Sequence, residues 1–153
     1  MADLDSLLAE EQLLQFTTFT NDDAWELGTR LVEAARAGAL PVTIDIRRGD
    51  QQLFHAALPG TSADNDAWIE RKVRVVRRFG RSSLAVGTAL RLEGRTIEDT
   101  YLLDEAEYAP HGGAFPVTVK GVGVVGTVTV SGLPQEDDHA LVVSVVREFL
   151  AER

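Results

Sequence analysis

The chain has 153 residues, of which 44% are hydrophobic and 25% charged, an ordinary globular composition that suits one domain with a sizeable core and excludes wholesale disorder. Its formal net charge of -9 argues against a nucleic-acid-binding surface. It contains no cysteine, so disulfide frameworks and thiolate metal sites are excluded.

The N-terminus, M-A-D-L-D-S-L-L-A-E-E, is acidic and lacks the basic and apolar regions of a secretory signal. No run of about 18 apolar residues is present to span a membrane. The expectation is a soluble, cytoplasmic protein. Leu4, Leu7, Leu8 and Leu14 lie near helical spacing and predict a first helix over Asp3 to Gln15. Phe16 to Thr20 breaks it with β-branched residues. A second helix starts at Thr20 or Asn21, either of which can cap, with Asp22, Asp23 and Glu26 at the positive end of its dipole. Trp25, Leu27, Leu31, Val32, Ala34 and Ala35 supply its buried stripe and Gly38 its stop.

Pro41 to Arg47 alternates with period two and Gln52 to Leu58 returns, so a hairpin is expected around Gly49. After a loop over 59–65, Asp66 to Phe79 is the clearest helix, capped by Asp64 or Asn65. Arg71, Lys72, Arg74, Arg77, Arg78 and nearby Arg81 make up six of the chain's 15 basic residues. A solvated face paired with acids explains that concentration; an anion site or a subunit contact is the sharper alternative. Leu84 to Leu92 reads as helix in preference to strand, and Ile97 to Leu103 has no decisive period. An acidic loop, 104–110, leads into the stretch His111 to Gly132, which holds six of the 13 glycines. There, Phe115 to Lys120 and Val124 to Ser131 read as antiparallel strands joined at Gly121-Val122-Gly123. The last helix follows Pro134, near its N1 position, with Glu136, Asp137 and Asp138 in the first turn. Together these elements define one α+β domain over 1–153, with a mainly antiparallel sheet covered by helices.

Gly121 to Gly126 spells G-x-G-x-x-G, but a dinucleotide loop needs a helix to begin there and Thr127-Val128-Thr129-Val130 is a strand sequence. Two of these glycines therefore make the turn, and Gly126 lets a neighbouring chain approach closely. His55, His111 and His139 show no metal-binding spacing, so no metal site is expected. No serine sits in a nucleophile elbow, and no catalytic residue is assigned. His111 precedes two glycines in a loop and is the best candidate for a ligand contact; Tyr108 can share that site.

Three segments carry a family resemblance: Trp68-x-x-Arg71-Lys72-x-x-x-Val76-x-x-Phe79-x-x-Ser82-Ser83, His111-Gly112-Gly113-x-Phe115-Pro116-Val117, and Val130-Ser131-Gly132-Leu133-x-x-x-x-Asp138-His139. Together they resemble the haem-degrading-domain family, which includes HbpS, GlcG-type proteins and the C-terminal domain of PduO. Within it they are similar to an uncharacterised branch with bacterial and fungal members. The resemblance implies a profilin-like α/β/α sandwich with about five strands, and homo-oligomers. It also implies a pocket near the Gly-Gly segment and the following hairpin, matched at Gly112, Gly113, Pro116 and Gly126, and in some members haem or a related tetrapyrrole. On that reading His111, Gly112, Gly113, Phe115, Pro116 and Tyr108 are candidate ligand-binding residues, His111 or Tyr108 touching iron and Arg71 and Lys72 near propionates. Trp68, Arg71, Lys72, Asp138 and His139 belong to the uncharacterised branch, and no axial ligand carries over. The expected function is small-molecule binding, with a non-enzymatic protein-interaction module as the alternative.

Overall fold

The structure, a computed structural model, describes residues 3–153. Six helices and four strands follow in the order α1 (Leu4–Leu13), α2 (Asn21–Ala37), β1 (Thr43–Arg48), β2 (Gln51–Ala57), α3 (Ala63–Phe79), α4 (Ser83–Leu92), α5 (Ile97–Tyr101), β3 (Ala114–Val119), β4 (Gly123–Ser131) and α6 (Gln135–Ala151). The strands form one antiparallel sheet in the order β2-β1-β4-β3. Helices α2 and α6 cover one face and α3 the other, giving the expected α/β/α layering.

Local chemistry explains most boundaries. Thr20 caps α2 and Asp23 returns the bond in a reciprocal capping box. Ser62 caps α3 with Asn65 as its partner, so the helix begins three residues before the expected Asp66. Pro134 is the N-cap of α6 rather than its first helical residue. The ambiguous 97–103 segment is the single short helix α5, stopped where Leu102 enters the left-handed region at φ +59°. The G-x-G-x-x-G stretch is the β3–β4 turn and the start of β4, with Gly121 and Gly123 at positive φ. A Cβ on Gly126 would collide with the Arg47 carbonyl oxygen, so glycine there permits the close approach of β1.

About five strands were expected and the sheet has four. Beside β3, the fifth position is held by one residue. Phe16 bridges Val119 in parallel; its N–H donates to the Thr118 carbonyl at 2.7 Å and its own carbonyl accepts from the Lys120 N–H at 2.9 Å. The chain has only residues 14–20 in which to leave α1 and reach the cap of α2, and it must bury Leu14, Phe16 and Phe19 on the way. No length remains for a ladder.

Period-two alternation gives the sheet two unlike faces. Ile44, Ile46, Phe115, Val117, Val128 and Val130 point into the main core with Leu27 and Leu31 of α2 and Val142, Val146 and Phe149 of α6. The opposite face carries Thr43, Asp45, Arg47, Thr127, Thr129 and Ser131, all buried. There Asp45 accepts from Arg47 Nε at 2.7 Å and Gln52 Nε2 at 2.6 Å, and lies 3.0 Å from His55 Nδ1. Arg47 also reaches Glu70, and His55 Nε2 reaches Asp66, so charged groups tie α3 to the sheet. Among the described residues no helix is long and apolar enough to cross a membrane.

Candidate functional site

At one end of the polar face, α3, the end of β4, the β4–α6 turn and the 109–113 loop enclose a pocket of about 240 Å³. Asn65, Trp68 and Lys72 occupy one side because they share one face of α3. Ser131, Leu133, Gln135 and Asp138 come from the other side, and His111 closes the wall.

Lys72 and Asp138 form the floor. Lys72 Nζ donates to Asp138 Oδ2 at 3.1 Å and to the Val130 carbonyl at 3.2 Å, with both side chains almost fully buried. Asp138 also accepts from the Leu133 N–H at 2.9 Å and the Gly132 N–H at 3.3 Å, so it fixes the turn that starts α6. Burial holds the Lys72 ammonium below its ordinary pKa against the pull of Asp138. Burial likewise raises the Asp138 carboxyl, opposed by Lys72 and the two backbone donors. For both, lost hydration outweighs the attraction between them.

The wall is aromatic. The Trp68 and His111 rings meet edge to face at 5.7 Å, and the Arg71 guanidinium lies 4.4 Å over the Trp68 ring. His111 is held below the usual imidazole range first by burial and then by the charges of Arg91, Lys72 and Arg71. It therefore presents a neutral ring at neutral pH.

Of the residues expected at a site, the structure brings His111 and Lys72 together in this pocket. Gly112 and Gly113 stand behind them, and what approaches closely there is protein. A Cβ on Gly112 would collide with the Gln135 carbonyl, and one on Gly113, at φ +138°, with the Val130 carbonyl and Lys72 Nζ. The Gly112 N–H donates to Gln135 Oε1 at 3.0 Å. Arg71 backs Trp68 and spends its fork on the Glu105 carbonyl. The other three candidates lie elsewhere. Phe115 is in the apolar core on the far face of the sheet, Pro116 is buried in β3 opposite Thr127, and Tyr108 packs on Val75, Val86, Leu90 and Ile97. The rest of the lining was not expected, Trp68, Asn65, Ser131, Leu133, Gln135 and Asp138 among it. Asp138 had a signal in the third family segment; Asn65 read only as a cap. Among the described residues, no group of three or more His, Asp and Glu side chains is placed to hold a metal ion.

An α/β/α sandwich with one polar sheet face and a pocket at the junction of α3 and α6 defines the class. The family model described as "Haem degrading protein HbpS-like" matches residues 19–147, and the chain belongs to that HbpS-like family. A UPF0303 protein of Streptomyces coelicolor is 60% identical over 143 residues, 94% of this chain and 90% of the relative. The crystal structure of Ybr137w superposes with a TM-score of 0.91 at 35% identity, covering 98% of this chain and 89% of the other. A PduOC:heme complex superposes with a TM-score of 0.70 at 16% identity, covering 85% of this chain and 94% of the other, a likeness of fold alone.

Proposed function

We propose that the protein binds a small molecule in the pocket floored by Lys72 and Asp138. The observation that carries this reading is the meeting of all three family segments at one cavity: Trp68 and Lys72 from the first, His111 from the second, Ser131, Leu133 and Asp138 from the third. A core made only for stability has no need to bury an ion pair beside an open cavity.

The heme named for the PduOC neighbour raises the question of haem. In donor chemistry His111 fits, because its imidazole is held neutral and can offer a lone pair to iron. In size the pocket does not fit. Its volume of about 240 Å³ lies below the roughly 300–1,000 Å³ of cavities that bury drug-sized ligands, and a tetrapyrrole is not a small member of that class. A ligand buried in this pocket within one chain is therefore smaller than a macrocycle.

Native mass spectrometry of protein purified from its own host tests the reading. The expected spectrum shows the chain with a retained mass below that of a tetrapyrrole. Bare chain alone, together with no ligand-induced rise in Tm across a panel of small metabolites, would overturn it. A saturable Soret shift with haemin that His111→Ala abolishes would replace the small ligand by haem.

Self-association is favoured by a separate observation. Among the described residues β2 pairs only with β1, and beside it Trp25 is 64% exposed, edge-on to Phe54 at 5.7 Å. The basic face of α3 is a poorer candidate, because Arg71, Arg74 and Arg77 donate to the carbonyls of Glu105, Glu107 and Gly49. Trp25→Glu should lower the mass found by light scattering, whereas Arg78→Glu should leave it unchanged.

A further inference from the structure

The hydrogen-bonding capacity left over in the pocket is one-sided. Both Asp138 oxygens already accept from Lys72, Gly132 and Leu133. Gln135 Oε1 is taken by the Gly112 N–H, which leaves the amide NH₂ of Gln135 free. Asn65 Oδ1 is taken by the Ser62 N–H, while its Nδ2 is within 3.4 Å of Ser131 Oγ. Lys72 has three N–H bonds and uses two. α6 starts at Pro134 with no side-chain cap; the Asp137 and Asp138 N–H groups donate to the Pro134 carbonyl, which leaves those of Gln135 and Glu136 outside the helix's own bonding. Except for Asp64 at the rim and the lone-pair nitrogen of His111, the polar groups facing the cavity have donors to spare and few acceptors.

The charges around the cavity are mixed: Arg71, Lys72 and Arg91 all act on His111, while Asp64 and Asp138 line the space and Glu136 and Asp137 share the first turn of α6. An anion received there must therefore be weakly charged. Asp138 lies in the floor, and among the described residues no arginine lines the pocket to grip a dianion, Arg71 being spent on the Glu105 carbonyl. The flat walls of Trp68 and His111 suit a planar body.

We infer that the pocket selects a compact monocarboxylate with a planar or apolar body, its carboxylate received by Lys72, Gln135 and the start of α6 and its body laid against Trp68 and His111. This deepens the small-molecule reading and rests on it.

The test is a titration of the intact protein, read at the two tryptophan indole N–H signals in ¹H–¹⁵N spectra, with Trp25→Phe assigning Trp68. The probes are benzoate, its neutral isostere benzamide, and inorganic phosphate. Benzoate should shift the Trp68 signal saturably, with benzamide and phosphate each weaker by about tenfold or more. Lys72→Met with Asp138→Leu removes the ion pair while keeping a packed floor, and it should abolish benzoate binding with the fold retained. Gln135→Ala, at the pocket rim, gives the same readout without touching the floor and should weaken benzoate. Equal binding of benzamide, tighter binding of phosphate, or benzoate binding that survives in both variants would overturn the carboxylate assignment and leave the pocket reading intact. So would silence to all three probes when native mass spectrometry shows a retained ligand. Silence to the probes together with a bare chain would overturn both.

Discussion

The two faces of the sheet are built from the same strands and solve opposite problems. Facing α2 and α6, alternate residues are Ile, Val and Phe, and the layer closes by excluding water. Facing α3, the intervening residues are Thr, Ser, Asp and Arg, and the layer closes through Asp45, Arg47, His55 and Glu70. It also carries the larger share of orphan polar atoms: the hydroxyls of Thr43, Thr127 and Thr129 are buried without hydrogen-bond partners among the described residues, against His139 Nδ1 on the other side. The pocket lies at the end of the costly face. The apolar face holds the fold together, and the polar face gives up stability to keep chemistry available next to α3.

The largest expected effect is on the apolar face. Phe115→Ala should lose about 3–5 kcal/mol in urea unfolding, as large aromatic truncations in packed cores do. It should leave ligand-induced shifts at Trp68 unchanged in the surviving folded fraction, because Phe115 faces away from the pocket. A change in those shifts would mean the two faces are coupled through the sheet.

Next is the floor of the pocket. Asp138→Ala strands the Lys72 ammonium and removes the acceptor for two backbone N–H groups. The expected loss is about 3 kcal/mol, at the low end for breaking a buried pair because the cavity lets water reach Lys72. The double change Lys72→Met with Asp138→Leu should recover most of that loss. If it does not, the pair contributes net stability and the polar face costs less than its buried charges imply.

How much of this was legible in the sequence follows from the same contrast. Alternation in β1 and β4 gave the strands, and the stripe Leu27, Leu31, Ala35 gave α2, because the apolar face obeys period rules that leave a mark on one chain segment at a time. The boundary of α3 was missed by three residues because Asn65, read as a cap, is the partner in a box closed by Ser62. The pocket was half visible. His111 and Lys72 stood out by type and neighbours, but Ser131, Gln135 and Asn65 become site residues only through a crossing of β4, α6 and α3 that no local pattern records. Gly112 and Gly113 stand in the sequence as candidate ligand contacts, and what approaches them closely in the fold is the Gln135 and Val130 carbonyls, a contact no local pattern records. Phe115 beside them read as part of the same entrance. Strand geometry turns it to the other face, one residue from the Ala114 N–H that Ser83 receives.

A smaller effect of opposite sign belongs to the polar face. Thr129→Val is nearly isosteric and removes an orphan hydroxyl. It should raise stability by about 1 kcal/mol in the same urea assay, since a buried unsatisfied hydroxyl costs on that order. A loss instead would mean that the hydroxyl has a water partner and that the face is wetter than its side chains alone suggest.

The subtlest comparison sets one histidine against another. His111 is on the pocket side; His139 is on the other side, 6.0 Å from the Phe115 ring, with Nε2 3.3 Å from Glu10. Burial holds both below the ordinary value of 6.5. As the pH falls below about 6.5, the unfolded chain takes up these protons before the folded one does. Stability therefore falls on acidification through that window and is fully present above it. Asp138 and Glu11, which burial raises above their usual 3.8 and 4.5, have the reverse sign: they favour the fold at low pH and lose that contribution as pH rises through their folded values. Thermal melts should accordingly show Tm dropping from pH 7.5 to 5.5, then flattening as the two carboxyls oppose the trend. His111→Gln and His139→Gln should each reduce the slope. Salt separates them. Arg91 and Arg71 contribute to holding His111 neutral, and added salt screens such partly exposed charges, whereas the neighbour of His139 is Glu10, which pulls the other way. The slope that remains in His139→Gln should thus shrink in high salt, and the slope that remains in His111→Gln should not. If both respond alike, the cations around the pocket do not reach His111 and add nothing to the attraction of an anionic ligand.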